Sequence, residues 1–171
     1  LLGIPIDLAA LFLTLIQTLL DLKGELPMID YKDIDSFIEQ NREALVRDIG
    51  RLVAVPSVEG PAEPDAPYGK EPKRALELGL QIAAELGLET CNFENRIGCG
   101  EISGESDKYL ATITHVDVVP AGEGWTADPF TMREHDGWIL GRGVLDDKGP
   151  SVVCLYALKY LKERGIKLRY G

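Results

Sequence analysis

Hydrophobic and polar positions change period several times along this chain. Residues 36–53 read as a helix: Phe37, Ile38, Leu45, Ile49, Leu52 and Val53 recur at helical spacing and make one apolar face. Ser36 with Glu39 forms a candidate capping box at its start, and Pro56 stops it. Residues 57–69 carry Pro61, Pro64 and Pro67 and read as an irregular surface loop. A second helix is expected from about Pro72 to Gly87, with Leu76, Leu80, Ala83 and Ala84 as its buried stripe. Residues 88–102 then read as two short strands turning at Glu94-Asn95, and residues 104–107 as a turn. Residues 109–117 alternate with period two and are expected to form a central strand. Residues 131–140 read as a hairpin turning at Asp136-Gly137, with His135 as a solvated turn residue. Gly149-Pro150 opens a last helix that runs to Arg164, with Gly165 as its stop. Its core face is Val153, Tyr156, Ala157, Tyr160 and Leu161, and residues 166–170 begin another strand.

Residues 1–27 read differently. Residues 8–20 are mostly apolar but too short for a spanning helix, which needs about 20 residues. They lack the basic start and small-residue cleavage site of a signal peptide. Lys23-Gly24-Glu25 stands just ahead of Met28, and purine-rich codons there would contain a ribosome-binding sequence. The expectation is a native start at Met28, with residues 1–27 as a translated leader that is not native and residues 28–171 as the domain; the alternatives are an ordinary N-terminal helix packed on the domain or a membrane-surface anchor.

Composition narrows the function class. A length of 171 residues and 45% hydrophobic content suit one domain with a real core. The net charge of −10, from 28 acids against 18 bases, argues against a nucleic-acid partner. No membrane partner is expected. Cys91, Cys99 and Cys154 form no Cys-x-x-Cys, so the expectation is reduced, buried or half-buried thiols in a cytoplasmic protein.

Candidate chemistry gathers between residues 109 and 150. His115 and Asp117 leave the same face of the expected strand, with Cα atoms roughly 6.5 Å apart at ~3.3 Å per residue. An imidazole beside a carboxylate suits a metal ligand with its supporting partner, because the acid accepts the second ring N–H and sets the tautomer. Asp146 brings a further carboxylate from a glycine-bounded loop, and Asp147 reads as helix cap and loop brace. The positive end of the last helix should favour the ionised forms of both acids. Gly122 and Gly124 make a flexible loop that carries Trp125, expected to pack beside the site. Lys148 lacks the spacing of a phosphate loop, so no nucleotide site is expected.

Residues 115–130, HVDVVPAGEGWTADPF, and residues 141–151, GRGVLDDKGPS, resemble one family in particular. They are similar to the dinuclear zinc hydrolases that include carboxypeptidase G, acetylornithine deacetylase, succinyl-diaminopimelate desuccinylase and carnosinase, most of all the bacterial dipeptidase V branch. The resemblance extends more weakly over residues 29–171. It implies an α/β fold: a three-layer, zinc-exopeptidase-like catalytic domain with a mixed central sheet flanked by helices. It implies that His115 and Asp146 are metal ligands, that Asp117 supports catalysis beside His115, and that the Asp146–Asp147 peptide is cis. It also implies two divalent ions, Zn²⁺ first and Mn²⁺ or Co²⁺ as alternatives, and a dipeptide or N-acyl amino-acid substrate. The family's Glu-Glu pair, its remaining ligands and its lid domain have no counterpart in these 171 residues. The expectation is therefore a truncated catalytic domain, a family dipeptidase inactive by itself. The alternatives are an N-acyl amino-acid deacylase and a non-catalytic remnant. Oligomeric state and substrate side-chain preference are not legible.

Overall fold

The computed structural model describes residues 3–5, 14, 16 and 30–171. In chain order the elements are β1 (Gly3–Pro5), α1 (Tyr31–Val53), α2 (Lys70–Glu85), β2 (Glu89–Phe93), β3 (Ile97–Glu101), β4 (Arg133–His135), β5 (Trp138–Leu140) and α3 (Lys148–Glu163).

Helix α1 starts earlier than its capping-box signal. Asp30 is the N-cap, and its carboxylate accepts from the amides of Lys32 at 3.0 Å and Asp33 at 3.4 Å. It takes up two of the donors that a helix start leaves unpaired. Ser36 lies inside the helix, where its hydroxyl donates to the Lys32 carbonyl at 2.7 Å. The apolar stripe explains the longer helix, because Ile34 is already buried one turn before Ile38. This stripe packs on α3, whose Val153, Tyr156, Ala157, Tyr160 and Leu161 are all buried as expected. The Phe37 and Tyr160 rings meet edge to face, centroids 5.2 Å apart. Buried Asp48 is satisfied between the layers by the Tyr156 hydroxyl at 2.8 Å and by Arg51 at 3.1 Å.

Helix α2 begins at Lys70, two residues before Pro72, behind Gly69 at φ 96°. Its buried face is rotated from the expected stripe. Ala75, Ile82 and Ala83 are buried, Leu76 and Leu80 are half-buried, and Ala84 is exposed. The leucines lie over Gly98 of β3, where a Cβ would come within 2.8 Å of Leu76 and 2.9 Å of Leu80. The glycine is what lets the helix approach the hairpin.

Both expected hairpins form. β2 and β3 pair antiparallel around Glu94 and Asn95, both at positive φ. β4 and β5 pair around Asp136 and Gly137, also both at positive φ, as a two-residue hairpin turn of this twist requires. β1 adds to the far side of β5 in the order β1-β5-β4, and Ile16 is buried in the core. The expectation of a start at Met28 lies outside the described residues.

Residues 109–117 and 166–170 are the main departure, because neither forms a strand. The first is held only at points along its length. The Leu110 amide donates to Gly171, and the Gly171 amide to Lys108. Further on, buried Ser57 donates its hydroxyl to Val116 at 2.6 Å and accepts from the Val118 amide at 3.0 Å. Ile113 is 93% exposed. A cavity of about 620 Å³ separates this segment from β3. Alternation assigns side chains to two faces, but a strand also needs a neighbour within bonding distance. The cysteine expectation is corrected at one position: Cys99 and Cys154 are half-buried, but Cys91 is exposed, on a strand with no buried residue.

Candidate active site

The first turn of α3 and the residues around His115 hold each other. The His115 amide donates to Asp147 Oδ2 at 3.2 Å, and the His115 carbonyl accepts from Ser151 Oγ at 3.2 Å. Ser151 Oγ also donates to the Asp147 carbonyl at 2.8 Å. With its backbone clamped, the imidazole stands between two acids. Nδ1 lies 3.3 Å from Asp117 Oδ1 and 3.2 Å from the Asp117 carbonyl oxygen. Nε2 lies 2.9 Å from Asp146 Oδ1. The Asp146–Asp147 peptide is cis.

Electrostatics follow from this placement. Burial pulls the His115 pKa down, but the hydrogen bond to Asp146 and the charges of Asp117 and Asp146 outweigh it, and the pKa stands above the usual value. Asp147 moves the other way from the helix-end expectation. Burial raises its pKa, against the hydrogen bond from the His115 amide and the His115 charge, while Asp146 adds to the rise. Asp147 occupies the N-cap position, yet its carboxylate caps no helix amide and braces His115 instead.

Lys148 is the residue that sequence reasoning missed. It is fully buried, and its ammonium donates to the carbonyls of Leu52 at 2.8 Å and Val55 at 2.6 Å. Those carbonyls sit at the C-terminal end of α1, where a cation is favoured. Burial lowers the Lys148 pKa to about 8, with the Asp117 charge opposing. The acid-bearing loop is thereby fastened to the end of α1. The nearest signal was the lysine's place directly after two acids at a helix start, which ordinarily marks a solvated side chain. Buried Ser57 was missed as well; its two bonds to residues 116 and 118 steady the stretch that carries Asp117.

Trp125 is tied into its own loop. Its indole donates to the Ala121 carbonyl at 2.9 Å, and the Arg142 guanidinium lies 5.5 Å from its ring centre. His135 sits at the β4–β5 turn, exposed, 3.3 Å from Asp136. Among the described residues no group of three or more His, Cys, Asp or Glu side chains is placed to hold a metal ion.

Residues 111–170 match the model of "Peptidase family M20/M25/M40". The chain is 44% identical over 132 residues to the Beta-Ala-Xaa dipeptidase of Lactobacillus delbrueckii subsp. lactis. It is 37% identical over 131 residues to the putative dipeptidase YtjP of Bacillus subtilis (strain 168). Each alignment takes in 75% of this chain, which spans 28% of the length of either relative. Among solved structures, human carnosine dipeptidase 1 superposes with a TM-score of 0.59 at 22% identity, over 76% of this chain and 30% of that one. That likeness shows the fold, an α/β arrangement of the kind found in this dipeptidase. The segment that carries His115, Asp117 and Asp146 thus lies within residues 111–170, the stretch of this chain that is similar to peptidase family M20/M25/M40.

Proposed function

We propose that residues 28–171 supply the first part of the active site of a metal-dependent hydrolase that cleaves the amide bond of dipeptides. The observation that carries this reading is the placement of His115 Nε2 against Asp146 Oδ1, with Asp117 beside the other ring nitrogen. The similarity to a Beta-Ala-Xaa dipeptidase favours a dipeptide over an N-acyl amino acid.

The donor set fits part of a metal centre. An imidazole nitrogen and a carboxylate oxygen face each other, and both are ligands that Zn²⁺, Mn²⁺ and Co²⁺ accept. In this reading His115 and Asp146 would hold an ion, with Zn²⁺ first and two ions in the complete centre. The ion would supply Lewis-acid polarisation of the scissile carbonyl. Asp117 would accept a hydrogen bond from Nδ1–H, which fixes the tautomer with the Nε2 lone pair free for the ion, and thereby supports catalysis without binding the ion. Asp147 and Ser151 hold the His115 backbone, and Lys148 holds the loop that aims Asp146. Hydrolytic zinc sites ordinarily use three protein ligands. With two, the chain by itself should bind an ion weakly and turn over no dipeptide. We read the protein as cytoplasmic from its unpaired thiols; no helix among the described residues is long and apolar enough to cross a membrane.

The test compares this chain with a longer form that carries the same residues at the full length of its relatives. Both are loaded with Zn²⁺ or Mn²⁺ and given β-alanyl dipeptides and N-succinyl amino acids. The longer form should hydrolyse the dipeptides and lose that activity on His115→Ala. Asp117→Asn should weaken metal binding or activity by about 10–100-fold. Full activity in the His115→Ala form would refute the ligand assignment. Preference for the N-succinyl substrates would replace the dipeptidase reading with a deacylase one.

A further inference from the structure

The hairpin of β2 and β3 carries chemistry that the hydrolase reading does not use. Cys91 and Cys99 are direct partners in its antiparallel register. Directly opposite residues have Cα atoms about 4.5 or 5.5 Å apart, depending on their place in the ladder, and both spacings fall within the disulfide range of about 4.4–6.8 Å. Opposite residues also share a face. The other face of β3 belongs to the helices, since a Cβ on Gly98 would meet Leu76 and Leu80, and one on Gly100 would meet Ala83 and Leu155. The two sulfurs therefore sit together on the face turned away from α2, with Cys91 exposed and Cys99 half-buried. Cys154, the third cysteine, lies on α3, away from the hairpin and half-buried.

We propose that Cys91 and Cys99 form a peroxide-oxidisable dithiol that closes to a cross-strand disulfide and reopens with small thiols. The exposed Cys91 thiolate attacks one oxygen of hydrogen peroxide, the O–O bond breaks, and Cys91 becomes a sulfenic acid. The Cys99 sulfur displaces that hydroxyl, and the S–S bond forms. Two thiols and one hydrogen peroxide give one disulfide and two waters. Two molecules of a small thiol such as glutathione reverse the oxidation, leaving as their own disulfide. Cys91 is the exposed thiol and Cys99 the half-buried one, so peroxide reaches Cys91 first, and burial also pushes the Cys99 thiol up.

The experiment oxidises this chain with hydrogen peroxide, blocks remaining thiols by alkylation and digests with trypsin without reductant. Arg96 lies between the two cysteines, so the digest separates them unless a disulfide joins them. The expected result is one linked pair of peptides, residues 75–96 with residues 97–108, with a mass loss of two hydrogens and recovery of both thiols on reduction. Cys91→Ser and Cys99→Ser should each abolish the link, and Cys154→Ser should leave it intact. Accumulation of Cys91 as sulfinic acid with Cys99 still free would overturn the proposal. So would a Cys154-containing link, or a Cys91–Cys99 link that forms as fast in concentrated guanidinium, where the register is gone.

Discussion

The layer of α1 against α3 and the segment of residues 109–117 are both apolar, yet they are used in opposite ways. In the helical layer Phe37, Ile49, Leu52, Tyr156 and Leu161 are all at most 2% exposed, and even Asp48 and Lys148 are buried with partners. In the segment Tyr109 is 68% exposed and Ile113 93%. The difference lies in where each finds its neighbours. A helix closes its own backbone bonds and needs only one stripe covered. A strand depends for its bonds on another part of the chain. Here residues 109–117 are secured at Gly171, Asp147, Ser151 and Ser57 rather than along a ladder. The consequence for the site is that His115 takes its position from α3, not from a sheet.

The comparison breaks most visibly at Phe37. Phe37→Ala should cost about 3–5 kcal/mol in urea unfolding, since it empties a filled contact with Tyr160. A loss below 1 kcal/mol would mean the helical layer is looser than its burial implies. Lys148→Met keeps most of the volume but strands the Leu52 and Val55 carbonyls, and should cost about 2–4 kcal/mol. A neutral outcome would show that the ammonium is not needed to fasten the loop to α1. Tyr156→Phe removes one bond to Asp48 while Arg51 keeps another, for about 1–2 kcal/mol by thermal unfolding. Smallest is Ile113→Thr, expected within about 0.5 kcal/mol because the side chain faces solvent. A loss above 2 kcal/mol there would show the segment covered in solution and abolish the contrast.

Legibility in one dimension followed the same division. The α3 core face, the two hairpins and the turns at Asn95 and Gly137 were readable because period and turn chemistry are local. The start of α1 was misread because Ser36-x-x-Glu39 also matches a capping box, and only the burial of Ile34 decides for Asp30. Of the candidate site, the spacing of His115 and Asp117 was readable, and the approach of Asp146 came from resemblance. Lys148 was legible only as something other than a phosphate-loop residue.

By itself the amino-acid sequence determined where helices and turns lie, that the chain is acidic, and which motif-bearing residues are candidates for chemistry. Local conformational preference and side-chain period carry that information. Tertiary structure alone decided that residues 109–117 go unpaired, that Lys148 is buried on the end of α1, and that Asp147 braces His115 instead of capping α3. Each of those outcomes depends on groups brought together from distant parts of the chain, and on whether a buried polar atom finds a partner there.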